Sequence, residues 1–147
     1  MSDTTDRADF QKVFPQLFTR LSKDGAEHLM QNVSRVDFHP GRNVFRDRMP
    51  TDAVYFVLSG EAEIFVEKDD RTVPLGKIGA GALLGEISVL SREMIASSTV
   101  QASQRMSTFK LMHQPLEGLL MSDDTGPALL ELFSETLASR LRATAPA

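Results

Sequence analysis

Cysteine and tryptophan are both absent from this 147-residue chain, and tyrosine occurs once. Without thiols, disulfides, zinc–thiolate sites and cysteine nucleophiles are excluded. Basic residues are not in excess: 16 lysines and arginines face 20 acidic residues, a net charge of -4. The two signs are interspersed, so the clustered basic face that nucleic acid demands is missing, and no nucleic-acid partner is expected. No apolar run approaches the length of a bilayer span, so no membrane span is expected either. The opening Met1-Ser2-Asp3-Thr4-Thr5-Asp6 is acidic and polar, without the basic and apolar regions of a signal peptide. The expectation from these absences is a cytoplasmic protein.

What is present suits one domain with a single sizeable core. Residues 1–8 read as a flexible N-terminal tail and residues 9–147 as one domain. From Phe10, the residues Val13, Phe14, Leu17, Phe18 and Leu21 recur at helical spacing, with Pro15 limiting the first turns. A second helix is expected near Asp24, whose side chain can cap it while Glu27 reaches back. From Arg35 the period becomes two. Val36 and Phe38 lead into a His39-Pro40-Gly41 turn, then Val44-Phe45. Ala53–Leu58 reads as a buried strand ending at Ser59-Gly60. Glu61–Glu67 alternates, with Ala62, Ile64 and Val66 inward. Asp69-Asp70 marks a hairpin tip, and Pro74 places the following Val73–Ile78 strand at an edge. Thr99-Val100 and Met106–Leu111 supply further strands. Helix returns at Pro115–Leu120 and again from Pro127, where Leu129, Leu130, Phe133, Leu137 and Leu141 form an apolar stripe. The fold expected is mainly β: a jelly-roll β-barrel flanked by N-terminal helices and a C-terminal helix.

One stretch carries chemistry. Gly81-Ala82-Leu83-Leu84-Gly85-Glu86-Ile87-Ser88-Val89-Leu90 has the form of a phosphate cradle, followed by Ala96-Ser97-Ser98-Thr99-Val100-Gln101-Ala102. Gly85 permits a tight left-handed turn, and the residues after it suit one short helical turn. Backbone N–H groups of such a turn are free to face an anion, and their dipoles add. Glu86 would place a carboxylate there as acceptor for a sugar hydroxyl. Where the cradle wants a cation, position 96 is alanine.

The order of helices, barrel with Gly-Glu cradle and terminal helix resembles the cyclic nucleotide-binding domain family, over residues 17–142. That family includes the catabolite activator protein, protein kinase A regulatory subunits and cyclic-nucleotide-gated channels. The similarity rests on Leu17–Ser22, on Phe38–Arg46 as the first barrel turn, on Asp52–Gly60, on Gly85-Glu86-Ile87 and on Thr99–Ala102. The resemblance implies a cyclic nucleotide ligand, cyclic AMP or cyclic GMP, held by Gly85, Glu86, Ile87 and Ser97. It also implies that an arginine should occupy position 96 and pair with the cyclic phosphate. A charge-assisted hydrogen bond contributes on the order of 1.5–3 kcal/mol. Losing an arginine fork therefore weakens binding by roughly two decades or more. Glu86, unneutralised, repels a phosphate further. A second departure is Arg48, which stands where the family usually has a turn glycine.

Arg92, four residues before Ala96, is the candidate replacement cation; a solvated loop arginine is the plainer reading. Arg42, Arg46 and Arg48 form a local basic cluster that can face a partner or a phosphate, or simply line the solvent side of a strand. His39-Pro40-Gly41 raises a cupin-like metal enzyme as an alternative. The histidines His28, His39 and His113 are scattered, however, so neither a metal nor a catalytic role is expected. The expected function is a non-enzymatic regulatory module with weak or lost cyclic nucleotide affinity, or a degenerate domain serving as a protein-interaction scaffold. A homodimer through the C-terminal helix and an effector protein are the macromolecular partners that the resemblance implies. No DNA-binding helix-turn-helix follows residue 142, which argues against a transcription factor.

Overall fold

A computed structural model describes residues 2–85 and 93–144, which form two compact units: residues 34–113, and residues 1–33 with 114–147.

The first unit is built from strands. β1 (Val33–Phe38), β2 (Asn43–Phe45), β3 (Ala53–Ser59), β4 (Glu61–Lys68), β5 (Arg71–Gly79), β6 (Leu83–Leu84), β7 (Thr99–Ala102) and β8 (Met106–Met112) make two four-stranded sheets. One runs β1-β8-β3-β6 and the other β2-β7-β4-β5. This is the jelly-roll arrangement expected, with two separate sheets in place of one continuously hydrogen-bonded barrel. β3 is apolar without alternation from Ala53 to Leu58 and buries all six of those side chains, which suits a strand inside a sheet. It pairs antiparallel with β8 on one side (Tyr55 opposite Lys110) and with β6 on the other (Tyr55 opposite Leu84).

In the second sheet, β4 pairs with β7 so that Ala62 meets Ala102 and Ile64 meets Val100. These residues face the core with Tyr55, Val57, Leu84 and Met106. The period of two puts Glu63, Phe65 and Gln101 on the opposite face. The β4–β5 hairpin turns at Asp69-Asp70, both at positive φ (53° and 62°), as two-residue hairpin turns demand. β5 is the edge strand, which accommodates Pro74.

The second unit is helical: α1 (Ser2–Val13), α2 (Pro15–Arg20), α3 (Lys23–Asn32), α4 (His113–Met121) and α5 (Gly126–Thr144). Residues 2–8, expected as a tail, continue α1. Phe10 anchors that helix at full burial, and Asp6 lies toward the end where the helix dipole favours negative charge. Pro15 opens a new helix, and the break stacks Phe10 edge-on against Phe14 and Phe18. The α3 cap also differs from expectation. Ser22, in extended backbone, accepts the Gly25 N–H at 3.0 Å, so the helix begins ahead of Asp24. Asp24 instead sits in the first turn, where its charge complements the dipole. Arg20 reaches from α2 to Glu135 on α5 at 3.0 Å.

Ser22→Ala is expected to lower stability by about 1 kcal/mol, and Asp24→Ala by roughly half that or less. Urea unfolding of the two variants checks this; a larger loss for Asp24→Ala would return the cap to Asp24.

Candidate functional site

The site grows from the end of β6. Gly85 follows the buried pair Leu83-Leu84 and holds φ +87°, the left-handed turn that a glycine permits. A Cβ there would stand 2.7 Å from the Ala53 carbonyl oxygen and 2.8 Å from Cζ of Phe45. Only glycine fits. Glu86, Ile87 and Arg92, expected in the cradle, lie outside the described residues.

Ala96 is on the other side of the site. It is 5% exposed and packs in the apolar core with Phe45, Leu84 and Val100. Its N–H donates to the Met49 carbonyl at 3.0 Å, and its own carbonyl accepts the Arg48 N–H at 2.9 Å. Thr51 N–H to the Met94 carbonyl, at 2.9 Å, extends the pairing. Both polar groups of Ala96 are therefore committed within the chain, and its side chain adds only a methyl. Ser97, the small hydroxyl of the expected site, is exposed.

Three aromatics line the roll beside this point. Tyr55 lies edge-on to Phe45 at 5.4 Å between centroids and to Phe38 at 5.8 Å. Burial pushes the Tyr55 phenol above its ordinary pKa, with the Asp52 carboxylate adding to the shift. The phenol therefore stays neutral through the physiological range. Lys110, directly opposite Tyr55 in the sheet, brings its Nζ to 5.9 Å from the ring centroid. Sequence reasoning missed Lys110 and the Phe38–Tyr55–Phe45 layer. The register was the signal: a lysine at the third inward position of β8 falls beside the β3 tyrosine.

The arginines fall elsewhere. Met49 N–H closes a turn onto the Arg46 carbonyl at 3.0 Å, and Arg48 within it holds φ +66°. The Asp47 N–H donates to the buried Thr99 hydroxyl at 3.0 Å, which pins this turn to β7. Of the expected site residues, the structure thus brings Gly85 and Ala96 to one core, where both touch Phe45's neighbourhood. Arg46 and Arg48 belong to the turn, not to that core.

Gly85→Ala is expected to cost roughly 2–4 kcal/mol, from a strained φ plus the contact with Phe45 and Ala53. Gly41 has a similar φ of +90° with open space around it, so Gly41→Ala should cost only about 1 kcal/mol. Equal losses in urea unfolding would show that the packing around Gly85 imposes nothing.

Comparison with known proteins agrees with this architecture. A potassium-channel-like protein of Rhodopseudomonas palustris is 33% identical over 124 residues, covering 84% of this chain and 29% of that protein. The CRP-like protein Clp of Xanthomonas campestris is 28% identical over 120 residues, covering 78% of this chain and 51% of Clp. The chain therefore spans about half or less of the length of these relatives. A solved cyclic nucleotide-binding domain from Methylobacillus flagellatus superposes with a TM-score of 0.81 at 20% identity, over 93% of this chain and 80% of that one. Among the described residues, no helix is long and apolar enough to cross a membrane. Residues 35–123 match the cyclic nucleotide-binding domain family, and the chain belongs to it.

Proposed function

We propose that this chain is a non-enzymatic, cytoplasmic regulatory module whose interior cradle holds cyclic AMP or cyclic GMP only weakly. In this reading, residues 9–147 act as one domain. The observation that carries it is Ala96, a buried methyl group whose backbone N–H and carbonyl are both engaged by the turn at residues 46–49. The position offers a nucleotide neither a cation nor a free donor. Gly85, Glu86, Ile87 and Ser97 remain as the ligand set, with Arg92 as the substitute cation. Backbone N–H groups after Gly85 supply the remaining attraction for phosphate. Occupancy is passed to an effector protein.

Titration calorimetry with cyclic AMP, cyclic GMP and a cyclic dinucleotide tests the reading. Dissociation constants roughly two decades above those of an arginine-bearing cradle are expected. Ala96→Arg should tighten cyclic AMP binding at least tenfold. The same variant buries an unpaired charge, so its melting temperature should fall without ligand and recover with it. Micromolar binding by the wild type, or no gain in a folded Ala96→Arg variant, contradicts the proposal.

The terminal helix supports self-association as part of the same module. Leu130 on α5 is 50% exposed, and Leu137, two turns further on, is half-buried; Leu141 falls where side chains lie outside the described residues. Leu129 and Phe133 of the same helix are buried, so the face that can pair with its copy in a homodimer is the one carrying Leu130 and Leu137. Leu137→Asp is then expected to give a monomer by light scattering, and an unchanged dimer mass would refute this interface.

A further inference from the structure

We infer that a second, outward-facing site on the β2-β7-β4-β5 sheet binds a nucleoside monophosphate. A cavity of about 390 Å³ opens there, on the side of the sheet away from Ala62, Val100 and Ala102. That size suits a small ligand rather than a peptide or a nucleic acid. The turn at residues 46–49 forms one wall, and Phe65 and Gln101 form the floor.

Four features of the cavity match the parts of a nucleoside monophosphate. First, Arg46 and Arg48 border it, and among the described residues neither guanidinium has an ion pair. Guanidinium forks are suited to a phosphate group. Second, Arg48 holds φ +66° inside a tight turn, a conformation that glycine adopts freely and a residue with a Cβ adopts only at a cost. A strained residue kept at a cavity rim is a mark of use rather than of stability. Third, Gln101 donates its amide to the Asn43 side-chain oxygen at 3.2 Å. That bond leaves the Asn43 amide N–H groups and the Gln101 carbonyl oxygen as a donor–acceptor pair, the pattern that reads a base edge. The Phe65 ring supplies the face on which a base stacks. Fourth, Asp47 and Glu67 also line the cavity, so its charge is balanced overall. Balance disfavours a triphosphate or an acidic peptide, and carboxylates can accept hydrogen bonds from ribose hydroxyls.

The site is independent of the interior cradle, because Phe65 and Gln101 alternate with the core-facing residues of the same strands. The test uses the full chain with 5′-AMP, ATP, inorganic phosphate and cyclic AMP as probes, read by calorimetry and by competition. Wild-type protein should bind 5′-AMP, with ATP and inorganic phosphate at least tenfold weaker, and cyclic AMP should not compete. Arg46→Gln should weaken 5′-AMP at least tenfold without raising the melting temperature. Arg48→Gly should weaken it as much while raising the melting temperature, since it relieves the left-handed strain. Absence of 5′-AMP binding at millimolar concentration overturns the inference. So does binding that both variants leave unchanged, or that cyclic AMP displaces. Failure here leaves the weak-cradle reading standing, because that reading is tested by cyclic AMP and Ala96→Arg alone.

Discussion

Two backbone hydrogen bonds, Arg48 N–H to the Ala96 carbonyl and Ala96 N–H to the Met49 carbonyl, fix where the Ala96 methyl and the arginine-bearing turn sit. They fasten the turn after β2 to the segment that leads into β7. The hydrogen bond from Asp47 N–H to the Thr99 hydroxyl reinforces the same junction. With the turn held there, Ala96 must place its side chain in the apolar core, against Phe45 and Leu84. The arginines of the turn are correspondingly kept out of that core. Each such bond contributes only about 1 kcal/mol net, but leaving either buried group unpaired would cost more. The pairing is therefore difficult to rearrange around a ligand.

This arrangement sets the apolar interior apart from the polar outer face of the same sheet. The interior is closely fitted at Gly85, whose left-handed turn brings it so near Phe45 and Ala53 that a side chain there would force them to shift. Position 96 adds a buried methyl group to that interior and no cation. Lys110, near Tyr55, is a cation on the same sheet, engaged with the face of an aromatic ring. On the outer side, Arg46 and Arg48 line a cavity together with Asp47 and Glu67.

Most of the architecture was legible in the sequence because its signals were local. Ala53–Leu58 was apolar throughout, Glu61–Glu67 alternated, Asp69-Asp70 was short and polar, and Pro74 required an edge; each of these has one structural solution. The ends of helices were less legible. Asp24 and Ser22 are both competent caps, and choosing between them depends on which backbone is extended, which composition does not reveal. Residues 2–8 carry no apolar periodicity, yet the fully buried Phe10 holds a helix that propagates back through them. For the site, the left-handed turn at Gly85 was readable from sequence, whereas the burial of Ala96 was not. The juxtaposition of Lys110 with Tyr55 was not readable either, since it depends on the register between β3 and β8, two strands far apart in the chain. Neither was the cavity beside Arg46, which joins β2, β4 and β7.

The central claim is that the interior keeps the form of a nucleotide cradle without the charge that made it tight. A titration of the isotopically labelled protein with cyclic AMP, followed by amide chemical shifts, tests it directly. Weak binding predicts shifts that move continuously in fast exchange, centred on Gly85 and Ala96, and that do not saturate at equimolar ligand. Slow exchange with saturation at one equivalent would contradict the account.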